Sequence, residues 1–264
     1  MNMKNLFSMK EKKVVITGGA GYLGSAIVKG MLQHGAEVVV ADIENSFENV
    51  RQKAGVNGNH LHTISVDLDS TDSIKKMFVE ANSVMGGVNV LITAAANLGA
   101  GVVDDIETMG DDYWTKGIEG TVGYTFRTIR EAVPYLKKEE KSSIVNFGSL
   151  YAVGAPDPRT YFDTPFSSTP NYGAGKAATV ELTKYCAAYL AKYKIRVNSV
   201  SPGSYPHPNV QKNTLFTKRL AEKTMLGRIG YPEDLVGAFV FLASDASLYV
   251  TGINIMVDGG QTAW

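Results

Sequence analysis

The sequence predicts an α/β protein built on a seven-stranded parallel sheet that is doubly wound, with helices on both faces. Two observations support this fold class. Short apolar runs alternate with helical patterns along the chain, which is typical of a parallel sheet covered on both faces. In addition, a glycine-rich turn separates the first apolar run from the helical pattern after it. Because 264 residues suffice for one full core, we predict a single domain over residues 1–264.

The first unit has the order of strand, turn and helix that a dinucleotide requires. Residues 13–17 form a predicted buried strand, residues 25–34 have a helical pattern, and between them lie Gly18, Gly21 and Gly24. Glycines let the backbone approach a pyrophosphate, and a helix N-terminus offers free amide groups and the positive end of its dipole. The unit therefore predicts a Rossmann-type dinucleotide site.

The second predicted strand, residues 37–42, ends in an acid about 20 residues beyond the glycines. From this position the Asp42 carboxylate can accept hydrogen bonds from the adenosine ribose hydroxyls. It would repel a 2′-phosphate, and Ile43, Glu44 and Asn45 bring no positive charge to offset that repulsion. We therefore predict NAD(H) rather than NADP(H) as the cofactor.

The later part of the chain continues the alternation and contains one irregular segment. The remaining predicted strands are residues 61–66, 88–94, 143–148, 195–200 and 253–257. Residues 151–171, rich in Pro, Asp, Ser, Thr and aromatic residues, leave the carboxyl end of strand 143–148. Ligands of a doubly wound sheet bind beyond the carboxyl ends of its strands, so we expect this insertion to border the substrate.

Three residues around that insertion form a candidate site for carbonyl reduction. Tyr172 and Lys176 are four residues apart at the start of a predicted helix and share one of its faces. The lysine would stabilise the phenolate and lower the pKa of the tyrosine from about 10 towards neutrality. Ser149, at the end of strand 143–148, could polarise a substrate carbonyl while Tyr172 delivers the proton and Lys176 holds the nicotinamide ribose.

Over essentially its whole length the chain resembles the short-chain dehydrogenase/reductase family. The resemblance rests on the glycine fingerprint at 17–24, the acids at 42 and 67, Ser149, Tyr172 with Lys176, residues 198–203, and the ending with residues 249–252 and 258–260. It implies NAD-dependent oxidoreduction and a homotetramer or homodimer. Residues 155–159 and 261–264 resemble members associated with sugar acids, polyols and surface-sugar biosynthesis, which favours a carbohydrate-derived substrate.

The resemblance also assigns site residues. It places the adenine near Asp67 and the nicotinamide beside Pro202 and Gly203. The full cofactor set that we predict is Gly18, Gly21, Tyr22, Leu23, Gly24, Asp42, Asp67, Leu68, Ala95, Tyr172, Lys176, Pro202 and Gly203. On the substrate side we predict Tyr151, Arg159, Tyr205 and His207. Arg159 could bind a carboxylate or phosphate of the substrate, or it could pair with Asp157 or Asp163 to hold the insertion.

Several positions depart from the family pattern. Tyr22 stands where the usual fingerprint has glycine, so the glycine spacing is nearer to that of nucleotide-sugar epimerases. Thr121 aligns with the asparagine of the proton relay, and its hydroxyl can still hold a water molecule. His207 replaces a threonine, and it could be a loop residue only or could contact the cofactor or the substrate. Residues 93–96 replace an Asn-Asn-Ala-Gly motif. Two alternative functions therefore stay open: a nucleotide-sugar epimerase or dehydratase that retains NAD, and a non-catalytic NAD-binding protein.

Composition excludes other classes of function. The chain has 26 basic and 26 acidic residues and no long run of one sign, so we predict a small-molecule substrate rather than nucleic acid or an anionic membrane surface. No apolar run is long enough to span a bilayer, residues 1–13 lack the apolar core of a signal peptide, and we predict a cytoplasmic protein. The single cysteine, Cys186, is predicted to be a buried structural thiol, and we assign no metal site.

Overall fold

The computed structural model describes residues 5–43, 47, 50, 60–97 and 104–264. These residues form a seven-stranded sheet of order β3-β2-β1-β4-β5-β6-β7, and every neighbouring pair of strands is parallel. The strands are β1 (Lys13–Thr17), β2 (Glu37–Asp42), β3 (Leu61–Ser65), β4 (Val90–Thr93), β5 (Ser142–Phe147), β6 (Ile195–Pro202) and β7 (Asn254–Val257). The predicted fold class is confirmed, and each predicted strand differs from the observed one by no more than two residues at either end.

The helices connect these strands. Within the described residues they are α1 (Tyr22–Gln33), α2 (Thr71–Met85), α3 (Asp111–Ile118), α4 (Tyr124–Leu136), α5 (Pro170–Leu190), α6 (Pro208–Gln211), α7 (Thr214–Glu222) and α8 (Val236–Ala243). A π-helical segment, Glu119–Gly123, joins α3 to α4. Helix α1 begins three residues before its predicted start, because Gly21 has extended backbone angles and acts as the N-cap, so that Tyr22 is already helical.

Side chains on successive strand positions point to opposite faces of the sheet and build two cores. From β1, Val14 and Ile16 pack with buried residues of α1 and α8 on one face. Val15 packs with buried residues of α2, α4 and α5 on the other face. The strands are continuous apolar runs because helices cover both faces of the parallel sheet.

The strand order changes direction between β1 and β4, which creates the crevice where doubly wound sheets bind ligands. The loops after these two strands lie against each other. A Cβ on Gly18 would be 2.5 Å from the Ala95 nitrogen, and Gly18 has a positive φ of 72°. Only glycine satisfies both conditions, so Gly18 sets how closely the two loops approach.

Two further observations concern the protein as a whole. No helix in the described residues combines the length and the apolar composition needed to cross a membrane. Cys186 is buried in the second core, and burial raises the pKa of its thiol to about 11. A thiol held neutral in this way packs as a small apolar side chain, as predicted.

Candidate active site

The crevice between β1 and β4 opens into a cleft of about 280 Å³. Of the predicted cofactor residues, Gly18, Gly21, Tyr22, Leu23, Gly24, Pro202 and Gly203 line it. Ser149, Tyr172 and Lys176 line the same cleft. The structure therefore brings residues from four separate parts of the chain to one surface at the carboxyl edge of the sheet.

Close packing of α1 against the glycine turn shapes the start of this cleft. A Cβ on Gly24 would overlap the carbonyl oxygen of Gly18 and lie 2.9 Å from the Gly19 Cα. At Gly21 φ is −67°, and an added Cβ would meet only the Gly18 oxygen, at 3.3 Å. No side chain in the described part of the chain caps α1, so the amides of its first turn remain available to an anion.

This difference between the two glycines predicts unequal costs of substitution. We expect Gly24→Ala to lower the free energy of unfolding by about 1–3 kcal/mol, because the new methyl group forces α1 away from the turn. Gly21→Ala is the matched control and should cost less than about 1 kcal/mol. Urea denaturation monitored by circular dichroism measures both variants. Equal losses of stability would contradict this account of the packing.

Asp42, the last residue of β2, is anchored beside the glycine turn. Its Oδ2 accepts a hydrogen bond from the Ala20 nitrogen at 3.0 Å, and its Oδ1 accepts one from the Ile43 nitrogen at 2.8 Å. Each carboxylate oxygen has two lone pairs, so the group can still accept bonds from ribose hydroxyls. Glu44 and Asn45, which also entered the cofactor prediction, lie outside the described residues.

The residues predicted for the adenine side follow the next strands. Asp67 is exposed just beyond β3, and its Oδ1 accepts a hydrogen bond from the Asp69 nitrogen at 2.9 Å. Leu68 is buried, and its carbonyl accepts a bond from Arg127 Nε at 3.0 Å. Ala95 follows β4 and lies against Gly18. Asp67 and Leu68 thus lie beyond the carboxyl end of the edge strand β3, and Ala95 lies beyond β4 at the switch point. Their contact with the adenine half of a dinucleotide stays a prediction.

Strand β5 and helix α5 bring the three predicted catalytic residues together. Ser149 lies just past the end of β5 and lines the same cleft as Tyr172. The Ser149 oxygen accepts a bond from the Tyr151 nitrogen at 3.1 Å. Lys176 Nζ donates to the Phe147 carbonyl oxygen at 2.9 Å and lies 5.9 Å from the centroid of the Tyr172 ring.

The electrostatics of this trio differ from the sequence-based expectation. Burial raises the pKa of Tyr172, and the hydrogen bond from Ser149 lowers it by a smaller amount. Burial lowers the pKa of Lys176 to about 8. The expected lowering of the tyrosine pKa by Lys176 is therefore not observed, because burial dominates and the ammonium is bonded to a carbonyl rather than to the phenol. The site holds a neutral phenol beside a buried amine.

The segment after β6 forms another wall of the cleft. A Cβ on Gly203 would lie 2.5 Å from the Asp258 Cα, so this glycine allows the segment to pass close to the end of β7. Tyr205 also lines the cleft, and its hydroxyl donates to the Val257 carbonyl at 3.1 Å. Burial raises the pKa of Tyr205. The ring of Tyr205 is thus part of the cleft, while its hydroxyl is engaged with β7.

Tyr22 connects the start of α1 to the same segment. Its ring meets the His207 ring edge to face, with centroids 5.1 Å apart. His207 Nδ1 accepts a bond from the Asn209 nitrogen at 3.3 Å and so caps α6. This placement sets His207 against a predicted cofactor residue. A contact of His207 with the substrate stays a prediction.

Arg159 lies in the insertion, with 82% of its side chain exposed. Its Nη2 is 2.8 Å from Asp157 Oδ2, and Lys223 Nζ is 2.5 Å from the same oxygen. These two cations hold the pKa of the Asp157 carboxyl well below its usual range. Of the two interpretations offered for Arg159, pairing with Asp157 is observed, and contact with the substrate stays a prediction.

The ion pair with Asp157 predicts how an Arg159 variant should behave. We expect Arg159→Ala to change KM by the same factor for an anionic substrate and for its neutral analogue, because the guanidinium contacts the insertion and not the cleft. Steady-state kinetics on a sugar acid and the corresponding neutral sugar provide the comparison. A loss confined to the anionic substrate would restore Arg159 as a substrate-binding residue.

Thr121 lies within the π-helical segment, which packs against α5. Its side chain is 1% exposed, and its hydroxyl donates to the Gly117 carbonyl at 2.7 Å. A Cβ on Gly175 would overlap the Thr121 hydroxyl, so the two elements are in direct contact one residue before Lys176. Such π-helical turns are frequent at functional sites. A water molecule bound by Thr121 stays a prediction.

Three features of the site had not been assigned from the sequence. Lys176 is held by the main-chain carbonyl of Phe147, which no side-chain pattern reveals. Tyr161 bonds to Tyr151, although the sequence marked Tyr161 only as an aromatic residue of the insertion. Asn171 donates from Nδ2 to the Tyr113 carbonyl at 2.8 Å and ties the first turn of α5 to α3. Its Oδ1 is the one buried side-chain polar atom among the described residues that has no hydrogen-bond partner.

Comparison with known proteins agrees with this architecture. A family model described as Enoyl-(Acyl carrier protein) reductase matches residues 19–262. The "Probable galactose dehydrogenase GalD" of Rhizobium meliloti is 29% identical, over 96% of this chain and 95% of that protein. The "3-oxoacyl-[acyl-carrier-protein] reductase FabG" of Thermotoga maritima is 32% identical, over 96% and 98% of the two chains.

A solved structure gives the same result. The short chain dehydrogenase from Leptospira borgpetersenii with bound NAD+ is 33% identical to this chain. The match covers 99% of this chain and 97% of the Leptospira chain, with a TM-score of 0.85. The fold, the order of the site residues along the sheet and these relatives lead to one conclusion: the chain belongs to the short-chain dehydrogenase/reductase family and is an oxidoreductase.

Proposed function

We propose that the protein interconverts a secondary alcohol and a ketone on a polar, carbohydrate-derived substrate, with NAD(H) as its cofactor. The observation that carries this proposal is that Ser149, Tyr172 and Lys176 line one cleft together with the glycine turn. The galactose dehydrogenase named among the relatives supports a carbohydrate substrate. The solved relative with bound NAD+ supports the cofactor.

The residues present fit a dinucleotide. At Gly18 and Gly24 any Cβ would occupy space that the backbone already fills, and the first turn of α1 has no side-chain cap within the described residues. The amides of this turn would hold the pyrophosphate, and Asp42 would accept hydrogen bonds from the adenosine ribose. Pro202 and Gly203 would border the nicotinamide. When bound, the cofactor supplies or accepts the hydride.

The chain's own residues would perform the acid and base chemistry. Ser149 donates a hydrogen bond to the substrate oxygen and fixes its position. Tyr172, kept neutral by burial, gives its proton to that oxygen during reduction and takes it back during oxidation. Lys176 uses one donor for the Phe147 carbonyl, so two donors of its ammonium remain to hold the nicotinamide ribose and to stabilise the phenolate when it forms.

A panel of substrates tests the proposed reaction. Polyols, sugar acids and a 3-oxoacyl thioester would be incubated with NAD+ or NADH, and the cofactor absorbance at 340 nm followed. We expect net turnover with hydroxylated substrates. Turnover of the thioester alone would assign the chemistry named for the Thermotoga relative, and conversion of a nucleotide sugar without net change in NADH would indicate an epimerase.

Asp42 leads to a prediction about the cofactor. We expect NAD(H) to bind more tightly than NADP(H), and Asp42→Ala to narrow the difference by about tenfold, since the carboxylate that repels the 2′-phosphate is removed. Fluorescence titration with NADH and NADPH gives both dissociation constants. Asp67→Ala is the control, because it removes an exposed carboxylate beyond the neighbouring strand. It should leave the ratio of the two dissociation constants unchanged. Tighter binding of NADPH by the unaltered protein would contradict the assignment.

The oligomeric state and the cellular location stay predictions. One feature supports a homodimer or homotetramer. On the outer face of α5, Tyr185 and Tyr189 are exposed and their rings stack with centroids 6.1 Å apart. Exposed aromatic pairs of this kind are typical of protein interfaces.

A further inference from the structure

Three phenol side chains converge beside Ser149, and the proposed chemistry uses only one of them. The hydroxyls of Tyr151 and Tyr161 are 2.5 Å apart. The ring of Tyr151 meets that of Tyr172 edge to face, with centroids 6.4 Å apart and planes at 86°. We call Tyr151 and Tyr161 the tyrosine pair.

The surrounding structure holds this pair in place. The main-chain nitrogen of Tyr151 donates to Ser149 Oγ, so Tyr151 shares an anchor with the predicted catalytic residues. The ring of Tyr161 packs on Phe216 of α7, at a centroid distance of 5.6 Å, and Phe166 packs on Phe216 at 4.7 Å. The insertion is thus attached to α7 through aromatic contacts, and the pair forms a fixed wall next to Tyr172.

The hydroxyl protons of the tyrosine pair determine which hydrogen bonds the pair can offer a ligand. The Tyr151 and Tyr161 hydroxyls share one hydrogen bond, and either oxygen can be its donor. Two hydroxyls that share one hydrogen bond own two protons, so one proton is left over. When Tyr161 donates, the proton of Tyr151 is free for a ligand. When Tyr151 donates, its oxygen keeps a free lone pair.

The chemistry of the pair favours a hydroxyl as its ligand. Burial raises the pKa of both Tyr151 and Tyr161, so both stay neutral at physiological pH and do not act as a second acid or base. A group that can either donate or accept matches another hydroxyl, whereas a carboxylate only accepts and an ammonium only donates. Tyr151 is half-buried, so it is not sealed within the core. It lines a cavity of about 880 Å³ that is separate from the catalytic cleft, and its ring contacts Tyr172, which lines that cleft.

We propose that Tyr151, held by Tyr161, binds the hydroxyl on the carbon next to the reacting carbon, so that the preferred substrates are vicinal diols and α-hydroxy ketones. This inference rests on the proposed function, which places the reacting oxygen at Ser149 and Tyr172. A substrate held there would have its neighbouring carbon one bond from the reacting carbon. The Tyr151 ring, in edge-to-face contact with Tyr172, would lie beside that carbon. Tyr161 acts through Tyr151 and is a positioning residue.

The test uses the best polyol from the panel above and the deoxy analogue in which hydrogen replaces the hydroxyl next to the reacting carbon. We expect the unaltered enzyme to prefer the polyol, and Tyr151→Phe to lower kcat/KM about tenfold for the polyol while changing it less than about twofold for the deoxy analogue. Tyr161→Phe should shift the same ratio in the same direction by a smaller factor. Tyr249→Phe is the control, because Tyr249 is fully exposed. It should change kcat/KM for neither compound.

Thermal unfolding and NADH titration of each variant separate this effect from misfolding, since each change keeps the ring and removes one oxygen. Equal losses on the polyol and the deoxy analogue would show that the pair only supports the insertion, and would overturn the proposal. Equal turnover of both compounds by the unaltered enzyme would also overturn it, while the proposed oxidoreductase function would stand. Failure of the unaltered enzyme to turn over any hydroxylated compound would instead overturn the proposed function.

Discussion

Tyr172→Phe is expected to lower kcat by about 10²–10⁴-fold, the range that general acid and base catalysis contributes. The substitution keeps the ring and removes only the hydroxyl, the proposed proton donor, in the cleft that Tyr172 shares with Ser149. Affinity for NADH should stay within about twofold, because the glycine turn, Asp42 and Lys176 are unchanged. Steady-state kinetics measure the first quantity, and fluorescence titration with NADH measures the second.

A matched control lies on the same helix. Tyr185 of α5 is 66% exposed, so Tyr185→Phe makes the same chemical change away from the cleft and should leave both quantities unaltered. Activity retained in Tyr172→Phe would remove this tyrosine from the proton transfer. Activity lost together with NADH binding would mean that the variant had disturbed the cleft.

Lys176→Met is expected to impair two properties at once. The ammonium is buried, donates to the Phe147 carbonyl and has two further donors. Its loss should lower kcat by about 10²-fold or more, because the phenolate of Tyr172 is no longer stabilised. It should also weaken NADH binding about tenfold, because a charged hydrogen bond to the ribose is removed.

The stability of this variant should depend on pH in a definite direction. Burial lowers the pKa of Lys176 from 10.5 to about 8, which corresponds to roughly 3 kcal/mol of destabilisation when the lysine is charged. Between about pH 8 and 10.5 the unfolded chain binds more protons at this lysine than the folded chain does. The unaltered protein therefore gains stability across this window as the pH rises, and Lys176→Met should not show that gain.

At pH 7 the two proteins should unfold with similar free energies, because the unpaired Phe147 carbonyl left by Lys176→Met costs about 1–3 kcal/mol and offsets the relief of the buried charge. Urea denaturation at pH 7, 8, 9 and 10 measures the difference. Lys184→Met, on the same helix but exposed and paired with Glu181, should follow the unaltered protein throughout. A constant difference between Lys176→Met and the unaltered protein would show that the lysine is not destabilised by burial.

Much of the fold followed from local sequence signals. The seven strands were predictable because each is a short apolar run covered on both faces by helices, and the order of strand, glycine turn and helix restricted the topology. The start of α1 was predicted three residues late, because residues 22–24 were assigned to the glycine turn. They are already helical, since Gly21 is the N-cap. Element ends depend on backbone angles that composition reflects only weakly.

The candidate site was predictable to the extent that its residues form spaced motifs. Ser149, Tyr172 and Lys176 meet in one cleft because the first follows the end of β5 and α5 carries the other two on one face. The pKa of Tyr172 was expected in the wrong direction, because spacing shows which charges are near but not how far water is excluded. For Arg159 the sequence left two interpretations open, a substrate contact and an ion pair. The choice of Asp157 as its partner depends on how the insertion folds.

The sequence by itself determined the sheet, the glycine turn and the identities of the three residues proposed for catalysis, because these depend on periodicity and on spacing within single elements. Only the tertiary structure decided the partners of the side chains: Phe147 for Lys176, Tyr161 for Tyr151, and His207 for Tyr22. Each of these contacts joins segments that are separated along the chain, and its energy depends on distance, orientation and burial. Those quantities are set when the elements pack together, and no local pattern of residues contains them.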